Sequence, residues 1–256
     1  MKNIILITGA SSGIGKEFAR QIDQYFRTID ELWLLARNQE KLMLLANTLK
    51  HKTRILPMDI TSSDCTEELT KALLESNVCI RMLINCAGHG IMGNVTQLTS
   101  QELSGMVRLN CEALTTVTSC CIPYMKRGSR IIQLASSAAF LPQPGFAVYA
   151  ATKSYVLSFS RALSEELRRT GIYVTGVCPG PVDTPFFEIA EQYSQTLAIK
   201  KFTMITADKV VSKALKDSYL KKTMSVCGLP IKAFAIASKL LPHQIILWVM
   251  RFFKRT

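Results

Sequence analysis

The stretch NIILITGASSGIG, residues 3–15, decides the fold. Its apolar first half predicts a strand that is buried on both faces. Its three glycines, Gly9, Gly13 and Gly15, predict a tight turn that leads into a helix and lets a phosphate group approach the backbone. The N-terminus of that helix favours negative charge. A glycine loop between a strand and a helix at the head of the chain therefore predicts a dinucleotide site.

Apolar strands and amphipathic helices alternate along most of the chain. The predicted strands are residues 3–8, 31–36, 54–59, 81–88, 129–136 and 171–180. The predicted helices are residues 13–26, 39–50, 61–76, 101–125 and 146–170, and a weaker pattern adds a helix at 207–222 and a strand at 223–228. This alternation predicts an α/β fold with a doubly wound parallel sheet of the Rossmann type, as a single domain over residues 1–228. Residues 229–256 form a C-terminal helical extension, which we expect to be broken near Pro242.

Composition and charge exclude several classes of protein. The 256 residues are 48% hydrophobic and 20% charged, which is globular composition, and the first strand starts too early to leave room for a signal peptide. The eight cysteines form no CxxC pair and no metal spacing with histidine, so we expect reduced thiols, a cytoplasmic protein and no metal site. Residues 200–256 hold 12 Lys and Arg against 2 Asp, a net charge of +10 out of +12 for the chain. This asymmetry indicates an anionic partner near the C-terminus or a solvated basic face, and we expect no nucleic-acid partner.

The stretch VYAATKSYV, residues 148–156, places a tyrosine four residues before a lysine. This spacing puts Tyr149 and Lys153 on one face of a helix. A neighbouring ammonium favours the phenolate, so we expect it to lower the pKa of Tyr149 and to make the phenol a usable acid. The alternative is a half-buried aromatic residue beside an ordinary surface charge.

The end of the second predicted strand, LLARNQ, bears on the choice of dinucleotide. An NAD site usually has an acidic side chain here, which holds the ribose hydroxyls. Ala36 occupies that position, and Arg37 follows it. A guanidinium group binds a 2′-phosphate through several hydrogen bonds, so the sequence favours NADP over NAD, unless Arg37 is only a strand-end charge.

These motifs occur together in an order that resembles the short-chain dehydrogenase/reductase family. They are TGASSGIG at 8–15, NCAG at 85–88, Asn110 in a long helix, Ser136 after the fifth strand, YAATK at 149–153 and PGPVDT at 179–184. The resemblance covers residues 3–228 and implies an enzyme that transfers a hydride between NADP(H) and a carbonyl or alcohol group. Cys86 departs from the family pattern, which more often has asparagine there.

The resemblance implies four catalytic residues. Tyr149 would act as the acid in carbonyl reduction and as the base in alcohol oxidation, while Lys153 would tune its pKa and hold the nicotinamide ribose. Ser136 would hydrogen-bond the substrate oxygen, and Asn110 would hold a water that links Lys153 to solvent. Hydride transfer builds negative charge on the carbonyl oxygen, so two hydroxyl donors suit the reaction, and the cofactor chemistry needs no metal.

The resemblance also implies a set of residues that hold the cofactor. They are Gly9, Ser11, Ser12, Gly13, Ile14, Gly15, Arg37, Asp59, Asn85, Ala87, Gly88, Tyr149, Lys153, Pro179, Gly180 and Thr184. Ser11 would join Arg37 at the 2′-phosphate, and Asp59 would lie by the adenine. Residues 85–88 would lie under the adenosine ribose, and residues 179–184 near the nicotinamide carboxamide.

In the family, the segment after Pro181 covers the substrate, and here it corresponds to about residues 181–206. Its apolar residues, with those of the loop at 140–148, are Phe186, Phe187, Ile189, Tyr193, Leu197, Phe140, Leu141, Phe146 and Val148. Such a lining suits a lipophilic carbonyl compound such as a ketosteroid, a 3-ketoacyl group or another hydrophobic ketone. The alternative is that these residues only pack the covering segment on the core.

The C-terminal run IILWVMRFF, residues 245–253, is apolar but too short to span a bilayer. It fits docking at a membrane surface, with Trp248, Phe252 and Phe253 in the interface and the basic Arg251, Lys254 and Arg255 at anionic headgroups. Packing on the core or on a second subunit is the alternative, because family members often form oligomers. Two further hypotheses are a non-catalytic cofactor sensor on this fold and a membrane-surface protein whose tail is its main element.

Overall fold

The computed structural model describes residues 1–191 and 204–240, together with Pro242 and Gln244. Its strands are β1 (Lys2–Thr8), β2 (Glu31–Ala36), β3 (Lys52–Pro57), β4 (Val78–Asn85), β5 (Met125–Leu134), β6 (Tyr173–Val177) and β7 (Met224–Ser225). They form one parallel sheet in the order β3-β2-β1-β4-β5-β6-β7. The predicted doubly wound α/β fold is therefore confirmed.

Helices lie on both faces of this sheet. They are α1 (Gly13–Tyr25), α2 (Gln39–Ala46), α3 (Cys65–Ser76), α4 (Ser100–Val107), α5 (Leu114–Cys121), α6 (Ala147–Glu166), α7 (Phe186–Ala190), α8 (Ala207–Tyr219) and α9 (Leu229–Leu240). A π-helical segment, Arg108–Ala113, joins α4 to α5, and short 3-10 helices cover Ile122–Tyr124 and Ser137–Phe140.

The residues of β1 alternate between two buried cores. Ile4 and Leu6 belong to the core under α3, α5 and α6, whereas Ile5 and Ile7 belong to the core under α1, α2 and α8. All four are fully buried, and each contributes ~1.5–3 kcal/mol of hydrophobic stabilisation. A strand with apolar side chains on both faces can lie only inside such a sheet, which explains why this run predicts the fold.

The strand order changes direction next to β1, and this point positions the site. The chain leaves β1 for β2 on one side, and β4 pairs with β1 on the other. The backbone of Cys86 donates to the carbonyl of Thr8 (3.2 Å), and the backbone of Ala87 donates to Thr8 Oγ1 (3.2 Å). The loops after β1 and β4 therefore meet where an open α/β sheet binds its ligand.

Several predicted boundaries were wrong. The helix predicted at 101–125 ends at Cys121, because Pro123 interrupts it and Met125 already pairs with Ile80 of β4. The strand predicted at 81–88 is β4, which begins earlier and ends at Asn85.

Two predicted helices are also shorter than expected. The helix predicted at 61–76 starts at Cys65, because Asp59 accepts hydrogen bonds from Thr61 and holds a turn ahead of it. The helix predicted at 39–50 ends at Ala46.

The first part of the C-terminal extension packs on the core. Ile231 of α9 lies against Gly180, and the ring of Phe234 lies 6.2 Å from that of Phe140. The opposite side of α9 exposes Leu229, Ile236 and Leu240. Within the described residues, no helix has both the length and the apolar character to cross a membrane. The predicted membrane-contacting residues at 245–255 lie outside the described part of the chain.

Candidate active site

The glycine loop is packed so tightly that a side chain would collide with the backbone. A Cβ atom on Gly9 would lie 2.6 Å from the backbone nitrogen of Ala87, and the positive φ of +66° is itself unfavourable for other residues. A Cβ atom on Gly15 would lie 2.2 Å from the carbonyl oxygen of Gly9. The bare backbone therefore forms a cradle at the N-terminus of α1.

This cradle fits the phosphates of a dinucleotide. Ser12 is the N-cap residue of α1, its side chain makes no capping bond to the described residues, and the first turn carries no acidic residue. Ser11 and Ile14 are half-buried beside it, and Ile14 packs on the core below α1. The methyl group of Thr184 would lie 3.4 Å from a Cβ atom on Gly13, so the segment after β6 crosses the loop. An open helix N-terminus without a nearby carboxylate suits a phosphate group.

Arg37 and Asp59 follow the carboxyl ends of β2 and β3, on one side of the cradle. Arg37 is exposed directly after β2. Burial alone would raise the pKa of Asp59, but hydrogen bonds from Thr61 and the positive charge of Arg37 hold it below its ordinary value. Burial lowers the pKa of His89, and Arg37 adds to that effect. The structure thus brings Arg37 near both side chains.

The side chain of Asn85 is hydrogen-bonded within the fold, beneath the loop after β4. Its side chain is 2% exposed, and its Nδ2 donates to Thr118 Oγ1 (2.9 Å) and to Gln133 Oε1 (3.0 Å). These bonds tie β4 to α5 and β5, so the side chain supports the sheet. In the loop that follows, Ala87 meets Gly9, whereas Gly88 lies beside the catalytic candidates.

Tyr149 and Ser136 come together next to Lys153, where the Ser136 hydroxyl acts to lower the pKa of the Tyr149 phenol. Tyr149 lies on α6 and is 7% exposed, and Ser136 follows β5. Ser136 Oγ accepts a bond from the backbone of Ala138 (3.1 Å), which fixes the serine at the start of a 3-10 turn. Ser137 uses its backbone nitrogen to hold the carbonyl of Pro179 (2.8 Å). The hydroxyl that meets the phenol is therefore that of Ser136.

Lys153 is buried one helical turn after Tyr149. Its Nζ donates to the carbonyl of Leu134 (2.7 Å) and lies 5.7 Å from the centre of the Tyr149 ring. Burial lowers the pKa of Lys153 to about 8 and raises the pKa of Tyr149 to about 12, a rise that the bond with Ser136 opposes. For the chain itself, the predicted lowering of the Tyr149 pKa by Lys153 is wrong, because burial of the phenol outweighs the distant ammonium.

Asn110 is fully buried in the π-helical segment. Its side chain accepts from the backbone nitrogen of His89 (3.0 Å) and donates to the carbonyl of the same residue (2.8 Å) and to Thr152 Oγ1 (3.0 Å). A Cβ atom on Gly88 would lie 2.9 Å from Asn110 Oδ1 and 3.4 Å from Lys153 Nζ. Asn110 therefore clamps the loop after β4 against α6, and π-helical turns of this kind often occur at functional sites.

An apolar wall surrounds the ring of Tyr149. The wall is a cluster of side chains from five segments of the chain: Ile91, Met92, Leu98, Leu103, Met106, Ala138, Phe146, Val148, Tyr149, Ala150, Phe186, Phe187 and Ala190. The backbone of Met92 donates to the carbonyl of Ala190 (2.8 Å), which holds α7 over the tyrosine.

The wall differs in part from the predicted lining. Phe140 belongs to a different cluster, under α9, because its ring lies beside Phe234. The sequence missed the contributions of Ile91 and Met92 from the loop after β4, which no local motif marks. Tyr193 and Leu197 lie outside the described residues, as does the side chain of Ile189.

Comparison with known proteins settles the family. The profile of the family described as "short chain dehydrogenase" matches residues 3–195. The chain belongs to the short chain dehydrogenase family. An uncharacterized oxidoreductase of Staphylococcus epidermidis is 32% identical over 189 residues, which cover 73% of this chain and 81% of the relative. The chain is accordingly an oxidoreductase.

Two solved structures of this family are similar over most of the chain. A short-chain dehydrogenase from Sphingobium yanoikuyae, in complex with NADPH, is 28% identical with a TM-score of 0.76, over 88% of this chain and 87% of the other. A bulky-bulky ketone specific alcohol dehydrogenase from Comamonas testosteroni is 26% identical with a TM-score of 0.71, over 88% and 86%. Within the described residues, no three or more His, Cys, Asp or Glu side chains are grouped to hold a metal ion, and all eight cysteines are free thiols.

Proposed function

We propose that this oxidoreductase interconverts a carbonyl and a secondary alcohol on a lipophilic substrate with NADP(H), and that Tyr149 is its acid and base. The observation that carries the proposal is the grouping of Ser136, Tyr149 and Lys153 beside the loop after β4, the same loop that closes the glycine cradle. Asn110 completes the catalytic set by fixing the loop that adjoins Lys153.

The chain's own residues do the proton chemistry. When bound, NADPH supplies the hydride. Ser136 Oγ and the Tyr149 hydroxyl donate to the carbonyl oxygen as negative charge develops on it, and the Tyr149 proton passes to that oxygen to give the alcohol. The tyrosinate left behind regains a proton from solvent, and the positive charge of Lys153 stabilises it in the meantime. Alcohol oxidation follows the reverse path, with the tyrosinate as base.

The residues at the adenosine end support NADP as the preferred dinucleotide. The exposed guanidinium of Arg37 follows Ala36, and Ser11 lies in the glycine loop nearby. A carboxylate at the end of β2 would repel a 2′-phosphate, whereas a guanidinium pairs with it. The similar Sphingobium dehydrogenase was solved with NADPH. The remaining predicted cofactor residues, including Asp59, Asn85, Pro179 and Gly180, stay part of the proposed cofactor site.

The apolar wall supports a lipophilic substrate. The rings of Phe186 and Phe187 and the side chain of Met92 pack in the same cluster as Tyr149. Apolar walls bind apolar substituents by removing their surface from water, at ~25 cal/mol per Å². The similar Comamonas enzyme is described as specific for bulky-bulky ketones. We therefore propose a hydrophobic ketone, with ketosteroids and 3-ketoacyl groups as the classes to test first.

The test is a panel of ketones incubated with the full chain and NADPH, followed by loss of absorbance of the reduced nicotinamide. We expect turnover of large apolar ketones and at least about 100-fold slower turnover by Tyr149→Phe, which keeps the ring but loses the proton. NADPH binding, measured by fluorescence, should be equal in the two proteins. A chain that binds NADPH but reduces no ketone, or a Tyr149→Phe variant with normal turnover, would refute the proposal and favour a cofactor sensor.

Cofactor choice has a separate test. Arg37→Asp removes the partner of the 2′-phosphate and adds an acid that can hold the ribose hydroxyls. We expect the ratio of kcat/KM for NADPH to that for NADH to fall by ~100-fold or more, since a charge-assisted pair is replaced by repulsion. A wild-type preference for NADH, or an unchanged ratio in the variant, contradicts this assignment.

The exposed side of α9 supports contact with an anionic membrane surface as a second property of the chain. It presents Leu229, Ile236 and Leu240 beside the exposed Lys232 and Lys239, and the most basic part of the sequence surrounds it. Apolar residues interspersed with lysine are typical of helices that lie in the headgroup region. Burial of the same side in a homo-oligomer is the competing proposal.

Flotation with vesicles of phosphatidylcholine and phosphatidylserine separates these two proposals. The full chain should float in low salt, and Ile236→Asp should remain in the soluble fraction. Leu44→Asp is the matched control, because Leu44 is 68% exposed on α2, away from α9. A discrete oligomer that does not float would assign the exposed side of α9 to a subunit contact.

A further inference from the structure

The ring of Tyr149 is stacked on a second aromatic ring that comes just before its own helix. The ring centres of Phe146 and Tyr149 lie 4.2 Å apart, the planes differ by 16°, and each residue is 7% exposed. Phe146 occupies the N-cap position of α6, where a polar residue would normally accept a backbone hydrogen bond. The helix therefore gives up a polar cap at this position and gains a ring contact.

The backbone on both sides holds Phe146 in place. Its nitrogen donates to the carbonyl of Gln143 (3.0 Å), and its carbonyl accepts from Ala150 (3.0 Å). These two bonds fix the Cα–Cβ direction of Phe146 relative to α6. The backbone thus places the ring of Phe146 beside Tyr149, and the packing of the ring against Tyr149 is what restrains its side-chain torsions.

Gly90 forms the floor beneath both rings. A Cβ atom at this position would lie 2.5 Å from Tyr149 Cδ2 and 2.8 Å from Phe146 Cζ. The preceding residue, His89, is held at both its backbone nitrogen and its carbonyl by the side chain of Asn110. The floor is thus anchored to the π-helical segment, and only glycine leaves the room that the two rings occupy.

We propose that Phe146 is a positioning residue for Tyr149 and that Gly90 is the floor that sets the plane of the stacked rings. The phenol must present its hydroxyl to Ser136 and to the substrate oxygen at the same time. The stack on one side and the floor at the ring edge restrict rotation of the phenol about its side-chain bonds. Small displacements of a reacting group can cost ~100-fold in rate, so this restraint matters for turnover.

A second consequence of the stack is a dry environment for the phenol. Phe146 and the tilted ring of Phe186, whose centre lies 5.5 Å from that of Tyr149, cover the tyrosine. This burial is what raises the pKa of Tyr149 to about 12 and keeps its proton in place until a substrate oxygen arrives. The inference rests on the proposed function for its link to turnover, but the ring restraint itself is a property of the chain.

The first test compares variants that keep or remove the flat ring. Phe146→Leu keeps an apolar side chain without a ring face, and Phe146→Tyr keeps the ring face. We expect Phe146→Leu to lower kcat by ~10-fold or more with little change in KM for NADPH. Phe146→Tyr should keep most of the wild-type kcat, because it retains the flat ring. Phe26→Leu is the matched control, because the ring of Phe26 contacts Tyr219 at the C-terminal end of α1, away from Tyr149.

The second test does not depend on turnover. In protein that contains 3-fluorotyrosine, the fluorine signal of Tyr149 is identified by its loss in Tyr149→Phe. A clamped ring should give two signals that exchange slowly, and Phe146→Leu should merge them into one. Equal ring exchange in wild type and Phe146→Leu overturns the proposal, as does an active wild type whose kcat is unchanged in Phe146→Leu. Slow exchange in a wild type that reduces no ketone would uphold the restraint and refute only the proposed function.

Discussion

The glycine cradle and the apolar wall lie at the same edge of the sheet, yet they are built from different parts of the chain. The cradle is mostly backbone from residues 8–15, closed by the loop after β4. The wall is made of side chains from the loop after β4, from α4, from the 3-10 helix after β5, from the start of α6 and from α7. A feature made of contiguous backbone can be predicted from one short sequence motif, whereas a wall assembled by tertiary packing has no such motif. If cofactor binding depends on the cradle and catalysis on the residues around Tyr149, variants in the two regions should change different steps.

The largest effect is expected at Ser136, on the catalytic side of the division. Ser136→Ala removes one of two donors to the developing oxyanion, and loss of such a donor lowers kcat by roughly 100- to 1000-fold. NADPH binding should remain as in wild type. Ser137→Ala is the matched control, because Ser137 holds Pro179 through its backbone, which the change leaves intact. A large loss of kcat in Ser137→Ala, together with normal kcat in Ser136→Ala, would assign the donor to the oxyanion to Ser137.

The next effect is expected in the cradle. Gly9→Ala adds a Cβ atom 2.6 Å from the backbone of Ala87 and forces alanine into a left-handed conformation. Strain and displacement together cost ~3 kcal/mol, so NADPH binding should weaken on the order of 100-fold. Gly105→Ala is the matched control, since its Cβ would meet only His89 Cε1, at 3.9 Å, and it should bind NADPH normally. Unchanged NADPH affinity in a folded Gly9→Ala variant would show that the cradle is not the cofactor site.

The same division explains what the sequence could predict. The parallel α/β sheet and the glycine loop follow from local patterns that each carry a physical requirement, whereas the role of Ser136 beside Tyr149 was implied by the family resemblance. The shortened helix before Pro123 could also have been found, because proline marks it. The place of Phe140 under α9 and the floor at Gly90 depend on which distant segments meet, and no local pattern reports that. The pKa of Tyr149 was mispredicted for a related reason, since burial is a property of the whole fold.

A third prediction concerns Lys153, whose ammonium is buried between the two regions. Its pKa is lowered from 10.5 to about 8, so below pH 8 the folded chain carries the full cost of the buried charge. Between pH 8 and 10.5 the folded state has released a proton that the unfolded state still binds, so the stability of the wild type rises with pH. Lys153→Met lacks this dependence.

Denaturant unfolding of both proteins at pH 7 and pH 9.5 measures that difference. Above pH 8 the wild type gains about 1.4 kcal/mol of unfolding free energy for each pH unit, and Lys153→Met gains none. The unfolding free energy of Lys153→Met relative to wild type should therefore fall by ~2 kcal/mol between pH 7 and pH 9.5. Lys71→Met, at an exposed position on α3, controls for the loss of one charge and should keep a constant difference. A constant difference for Lys153→Met as well would place the ammonium in contact with solvent.

The smallest effect is expected at Asn85, which the family resemblance places under the adenosine ribose and whose side chain is hydrogen-bonded within the sheet and to α5. Asn85→Ala leaves the buried Gln133 Oε1 without its donor, and an unsatisfied buried acceptor costs ~1–3 kcal/mol. Thr118 keeps its bond to the carbonyl of Leu114 and still accepts from Gln133, so part of the network survives. The free energy of unfolding should fall by ~1–2 kcal/mol while KM for NADPH and kcat stay close to wild type.

Asn110→Ala provides the contrast to Asn85→Ala. Both asparagines are buried and hydrogen-bonded. Asn85 binds Thr118 and Gln133, whereas Asn110 binds the backbone of His89, in the loop that adjoins Lys153, and the side chain of Thr152 on α6. Its loss should therefore lower kcat as well as stability, since the floor under Tyr149 is no longer anchored. If Asn85→Ala instead raises KM for NADPH tenfold with unchanged stability, its side chain belongs to the cleft and the division between cradle and sheet fails. Equal losses of kcat in the two variants would show that both asparagine side chains fix the loop after β4 next to Lys153.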